Sequence, residues 1–208
     1  GVPRIAFINK LDRVGADPVR VIADLEQKLG LVAVPLQLPI GLEQDFRGVI
    51  DLVAMEAVYF EGDAGERVRR TPIPAELAEQ ADRARRGLLD TLSLYDDELM
   101  ELLLDEGSTA APDATHLVPD AERLGQVIRR LTVARDIVPV LMGSAFKNRG
   151  VQPLLDAVVR YLPSPLDLVY YARDNDNDGA EVAITADPDA PAVLMAFKLV
   201  EESFGQLT

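Results

Sequence analysis

The sequence predicts an α/β fold: a buried parallel sheet whose strands end in loops, with a small α+β subdomain inserted between two of those strands. Three observations predict it. The apolar runs Ile5-Ala6-Phe7-Ile8 and Ile137-Val138-Pro139-Val140-Leu141-Met142 do not alternate with polar residues, as expected of strands covered on both faces. Each run passes at once into a loop, Asn9-Lys10-Leu11-Asp12 after the first and Gly143-Ser144-Ala145-Phe146-Lys147-Asn148-Arg149-Gly150 after the second. A helical pattern follows each loop, which gives two strand-loop-helix units, and open α/β sheets bind ligands beyond the carboxyl ends of such strands.

The helix after the first loop has its ends marked by side chains. Asp17 suits the N-cap and Pro18 the first helical position, Val21, Ile22, Leu25 and Leu29 fall on one face, and Gly30 suits a left-handed C-terminal residue. Val32 to Gly41 reads as a strand broken by Pro35 and Pro39; proline cannot donate to a ladder, so the strand belongs at an edge. Asp45 to Val53 and Ala57 to Phe60 read as a hairpin or meander, with Glu61-Gly62-Asp63-Ala64-Gly65 as a turn. From Pro74 to Gly107 the apolar positions Leu77, Ala81, Ala84, Leu88, Leu92, Tyr95, Leu99 and Leu102 step by three or four, and Asp96-Asp97 caps a second segment after a break.

Residues 107–119 are small and turn-forming, a loop without its own core. Asp120 caps a helix that carries Leu124, Val127, Ile128 and Leu131 on one face. The helix from Val151 to Leu162 is ended by Pro163-Ser164-Pro165, residues 166–191 are a polar linker, and Ala192 to Val200 reads as a strand. The organisation expected is 1–31 and 135–165 as parts of one α/β domain, 32–134 as its insertion, and 166–208 as a linker followed by a strand.

An Asn-Lys-x-Asp at the mouth of a buried strand suits the reading of guanine. The Asp12 carboxylate can accept two parallel hydrogen bonds from the N1–H and exocyclic N2 edge, and adenine would leave it unpaired. Such a pair discriminates by ~1–3 kcal/mol. Lys10 can lay its methylene stem along base and ribose, and Asn9 offers an amide to base or backbone. By itself the tetrapeptide also fits a strand ending in a polar turn. The second loop strengthens the ligand reading: its small residues let backbone approach a planar base, and the Ala145 N–H is the natural donor to guanine O6. Asn9, Lys10, Asp12, Ser144, Ala145 and Phe146 are the candidate base-binding residues.

The stretches Pro3 to Arg13, Gly143 to Val151 and Asp156 to Pro165 match, in order and spacing, the translational GTPases, and the chain resembles that family and within it the elongation factor G group. Leu11 stands where the family more often has Met, a swap of similar volume. The resemblance implies a GTPase-type parallel sheet, with Asn9–Asp12 as the fourth GTPase signature and Ser144-Ala145 as the fifth. It also implies GTP or GDP with magnesium in a longer parent that moves tRNA and mRNA on the ribosome, an insertion that contacts the ribosomal stalk protein, and a strand near 192–200 that opens a β-barrel domain. A ribosome-protection or peptide-release GTPase shares the signatures, and a non-catalytic interaction module that keeps the fold is a third reading.

The chain lacks the Gly-x-x-x-x-Gly-Lys-Ser/Thr phosphate loop, and none of Lys10, Lys28, Lys147 and Lys198 follows a glycine. Asp12-Arg13-Val14-Gly15 and Asp45-Phe46-Arg47-Gly48 match the letters of the magnesium-linked Asp-x-x-Gly signature by chance, and the single histidine, His116, is expected to be an ordinary exposed side chain. No catalytic residue and no metal ligand is therefore assigned, and the chain is expected to bind guanine nucleotides weakly or not at all and not to hydrolyse GTP. Asp174-Asn175-Asp176-Asn177-Asp178-Gly179 opens like a calcium loop, but Thr185 occupies the twelfth position where a bidentate Glu belongs, so a solvated turn is expected. With 35 acids against 21 bases the net charge is −14, which repels nucleic-acid phosphates. There is no cysteine, and no apolar run of membrane-spanning length, so a cytoplasmic chain is expected. The resemblance makes the strands near 4–8 and 137–142 neighbours; without earlier strands the first has an open apolar edge, which the strand at 192–200 or a second copy is expected to cover.

Overall fold

The computed structural model describes residues 2–62, 64–108, 119–167, 169–194, 196, 200–202 and 205–207. In chain order its first unit, 1–162, contains β1 (Ala6–Ile8), α1 (Pro18–Leu29), β2 (Ala33–Pro35), β3 (Gln37–Ile40), β4 (Gly48–Asp51), β5 (Glu56–Glu61), β6 (Arg67–Thr71), α2 (Ala75–Ser93), α3 (Asp97–Ser108), α4 (Ala121–Ala134), β7 (Val138–Met142) and α5 (Val151–Tyr161). The second unit, 163–208, contains β8 (Tyr170–Asp174), β9 (Ala180–Ile184), β10 (Val200–Glu202) and β11 (Gly205–Leu207).

The two apolar runs are adjacent parallel strands, as expected. β7 is central in a parallel sheet of order β1-β7-β2, with Ala6 opposite Val140 and Ile8 opposite Met142. All five of its residues are buried, which is why the run lacks alternation. Pro139 is tolerated there for a geometric reason. Val138 N–H donates to Val32 and the Val140 carbonyl accepts from Leu36, so by alternation the missing N–H of residue 139 points toward β1, whose pairing starts only at Val140.

The proline-broken strand lies at edges, and it serves two sheets. β2 ends the parallel sheet, while β3 is the edge of an antiparallel meander of order β3-β4-β5-β6. Leu36 is the joint: its N–H donates to Val140 at 2.9 Å and its carbonyl accepts from Leu52 at 2.9 Å. The meander contains one strand more than the sequence signalled, since Arg67–Thr71 is exposed along most of its length and carries no apolar alternation.

The helices follow their capping residues. Asp17 Oδ1 accepts the Arg20 N–H, Gly30 is left-handed at φ 62°, and Asp120 Oδ1 accepts the Arg123 N–H at 2.7 Å. Leu29, expected on the apolar face of α1, is exposed instead, at the last residue of the helix before Gly30. The long helical stretch breaks after Ser93, and Asp96 caps α3 by accepting the Leu99 N–H.

Buried side chains form two clusters. One joins the meander to α2, α4 and α5 through Leu36, Leu52, Leu88, Leu92, Leu124, Ile128 and Tyr161. The other gathers Ile8, Leu11, Phe46, Val49, Val58 and Met142 beneath the two loops, with Val21, Ile22 and Leu25 of α1 packed against it.

In the second unit the expected linker is a hairpin. β8 and β9 pair antiparallel, and Asp178 and Gly179 both take positive φ in the turn between them. An Asp-Gly pair between such runs is a hairpin signal that the reading of 166–191 as a linker passed over. The expected strand from Ala192 to Val200 is also corrected. Residues 192–194 lie outside any strand and are exposed, and the strand described there is Val200–Glu202, paired with β11. Residues 195 and 197–199, like the 109–118 loop with His116, lie outside the described residues.

Candidate guanine-binding site

Leu11 decides how the first loop stands. It is the apolar member of Asn-Lys-x-Asp and is 1% exposed in the core beneath the loops. Burying such a side chain contributes ~1.5–3 kcal/mol, enough to pin the loop at its centre while its polar neighbours face outward. Its N–H donates to the Gly143 carbonyl and the Gly143 N–H donates to Ile8, so the parallel ladder continues past the strands and joins one loop to the other. Lys10 turns the chain at φ 65°, with its own N–H on Asn9 Oδ1 at 2.8 Å.

The second loop closes on itself. Ser144 and Arg149 exchange both backbone hydrogen bonds, and Asn148 N–H donates to Ala145. Gly143 is required at its start, because a Cβ there would run into the Arg149 carbonyl.

The structure brings the predicted residues of both loops together. Asn9 Oδ1 accepts the Ala145 N–H at 2.9 Å, across 136 residues of sequence. Asp12, with its side chain 10% exposed, faces Lys147 Nζ at 3.6 Å. The Ser144 hydroxyl is buried, makes no hydrogen bond of regular geometry, and lies against the Asp12 carboxyl. That hydroxyl is the main cause holding the Asp12 carboxyl below its ordinary value of 3.8; burial opposes it, and Asp12's own backbone N–H and Lys147 add to it. Phe146 stands at the rim, 96% exposed.

Two features differ from expectation. The Ala145 N–H, assigned to guanine O6, is already held by Asn9, so a base seated there would share it as a three-centre donor. Lys147 joins Asp12 although the motif reading did not single it out; the available signal was a cation two residues past Ala145. A hollow of about 200 Å³ opens between the first loop and the start of α1, lined in part by Asn9, Lys10, Arg13 and Asp17; Asp12 and the second loop are not among its lining residues. A shielded carboxylate held ionised, a buried hydroxyl beside it and small residues at the strand ends are a set of groups that fits a planar base with adjacent N–H groups. No group of acidic or histidine side chains suited to a metal ion occurs among the described residues, and in the acidic run 174–179 Asp174 Oδ1 accepts the Asp176 N–H within the hairpin turn. No helix among the described residues is long and apolar enough to cross a membrane.

A parallel sheet with loops at its carboxyl ends and an antiparallel insertion is the architecture of a GTPase-type α/β domain. Residues 1–164 match the sequence profile of the elongation factor Tu GTP binding domain, and the chain belongs to that family. Over 207 residues it is similar to elongation factor G of Rhodopirellula baltica at 50% identity, covering 100% of this chain and 28% of that protein. It is similar to mitochondrial elongation factor G-1 of Arabidopsis thaliana at 47%, covering 100% of this chain and 26% of that one. A crystal structure from Thermus thermophilus shares the fold with a TM-score of 0.65 at 24% identity, covering 100% of this chain and 30% of that one. The chain thus spans less than a third of the length of these relatives.

Proposed function

We propose that Asn9, Lys10, Asp12, Ser144, Ala145 and Phe146 form the base-reading half of a guanine-nucleotide site, within a protein that acts as an elongation factor G-type GTPase in ribosomal translocation. The observation that carries the reading is the Asn9–Ala145 hydrogen bond, which couples the two loops, with the ionised Asp12 beside it. Asp12 takes the N1 and N2 edge, the Ala145 N–H is shared with O6, and Lys10 flanks the base. Similarity to elongation factors G across the whole chain supports the wider role.

In this reading 1–31 and 135–165 belong to the nucleotide domain, 32–134 is its insertion, and 166–208 starts another domain. Phosphate and magnesium contacts come from sequence outside these residues, so the chain alone binds GTP and GDP weakly and does not hydrolyse GTP. The partner is the ribosome, with the insertion meeting the stalk protein; the charge of −14 disfavours direct RNA contact, and the compartment is the cytoplasm. The outer edge of β1, unpaired among the described residues, is where self-association would occur.

Titration with a fluorescent GDP analogue and its adenine counterpart tests the base reading. A preference for GDP that disappears in Asp12→Asn supports it; equal binding of both purines overturns it. Binding of the stalk protein with no purine preference would favour a non-catalytic interaction module instead.

A further inference from the structure

We infer that Glu43, a residue of the insertion, is a positioning residue for the base-reading loop and sets where Asp12 points. The inference rests on the guanine reading above. Glu43 makes two hydrogen bonds to that loop, one from its backbone and one to its side chain. Its N–H donates to the Leu11 carbonyl at 2.7 Å, and its Oε1 accepts the Gly15 N–H at 2.7 Å. Leu11 and Gly15 flank Asp12, so one residue spans the segment whose carboxylate reads the base.

Glu43 holds this place in an unfavourable backbone conformation, with φ at 58° where a residue bearing a Cβ is seldom found. A non-glycine residue kept in that region marks a position over-determined by its surroundings. Those surroundings are visible. Phe46, three residues on, is fully buried among Ile8, Leu11 and Met142, and its carbonyl accepts from the Arg149 guanidinium of the second loop. Gln37 Oε1 accepts the Met142 N–H at 3.0 Å, one residue before Gly143. Gly65, in the turn between β5 and β6, lies so close to the Lys147 and Asn148 carbonyls that a Cβ would meet them at 2.6 and 2.8 Å. The insertion therefore grips both loops, and at the Asp12 loop the grip is Glu43.

The test uses the 208-residue chain with GDP and ADP as probes, followed by amide shifts and amide hydrogen exchange. Glu43→Ala and the shorter Glu43→Asp should speed exchange at Gly15 and cut the preference for GDP over ADP by about tenfold, whereas Glu43→Gln, which keeps an acceptor oxygen in place, should retain both. Faster exchange at Gly15 with an unchanged GDP preference would reduce Glu43 to a structural contact and overturn the inference. If the native chain and Asp12→Asn show the same lack of preference, the base reading itself fails and this inference with it. If the preference depends on Asp12 and not on Glu43, the inference alone fails. Glu43→Asp keeps charge and turn, so a folding defect in Glu43→Ala still leaves a decisive comparison.

Discussion

Asn9 and Ala145, separated by 136 residues, are joined by a 2.9 Å hydrogen bond from the Ala145 backbone N–H to the Asn9 side-chain carbonyl. The same oxygen also accepts the Lys10 N–H, so a single amide side chain sets both the turn of the first loop and its distance from the second. Asn9→Ala should cost ~1 kcal/mol of stability, as expected for hydrogen bonds between solvent-accessible groups. Its diagnostic effect is local: hydrogen exchange at Ala145 should accelerate while amides in β7 keep their protection.

Asp12 should give the chain a measurable acid sensitivity. Its carboxyl is held below 3.8 in the folded state, chiefly by the Ser144 hydroxyl, so folding favours the ionised form. A depressed carboxyl pKa contributes stability above the unfolded value and loses it as pH falls through the folded one. Thermal unfolding of native chain and Asp12→Asn, compared across acid pH, should show a gap that is full above about pH 5 and closes as the pH drops below the ordinary carboxylate range.

Arg85 on α2 is a buried cation, with its charge spent on carbonyl groups. Its guanidinium donates to Leu52, to Val53 at 3.0 Å and to Pro119 at 2.9 Å, tying α2 to the meander and to the chain just before α4. Arg85→Met fills much of the volume and leaves those carbonyls without their donor, so a loss of ~2–4 kcal/mol is expected in urea unfolding. Arg85→Lys should not recover it, because a single ammonium cannot reproduce the fork.

Asp96 has two tasks at the start of α3. It accepts the Leu99 N–H as an N-cap and pairs with Arg130 on α4, with its side chain 2% exposed. Asp96→Ala should destabilise the chain by ~1–3 kcal/mol. Asp96→Asn can keep the cap through its one carbonyl oxygen but turns an NH2 toward the Arg130 guanidinium, so it loses the acceptor as well as the charge there, and should fall between native chain and Asp96→Ala in the same unfolding measurement.

What the amino-acid sequence determined alone was local: unalternating runs for the buried strands, capping residues at 17, 30, 96 and 120, proline for the sheet edges, and small or polar residues at the two strand mouths. These were legible because each depends on contacts within a few residues, or on whether one or two faces are covered. The exposed strand β6 escaped because its pairing is carried by backbone hydrogen bonds to a neighbour and its side chains carry little apolar pattern, whereas the β8–β9 hairpin did carry a local signal, Asp178-Gly179 ahead of the alternating Ala180–Ile184, within a stretch whose polar composition reads as linker. Only tertiary structure decided how the two loops meet. The Asn9–Ala145 bond, the Lys147–Asp12 pair and the Glu43 contacts to Leu11 and Gly15 all join residues 28 or more positions apart. Directed contacts of that kind depend on the register of a parallel sheet and on a meander folded back against it, and no periodicity in a chain encodes the distance between two of its loops.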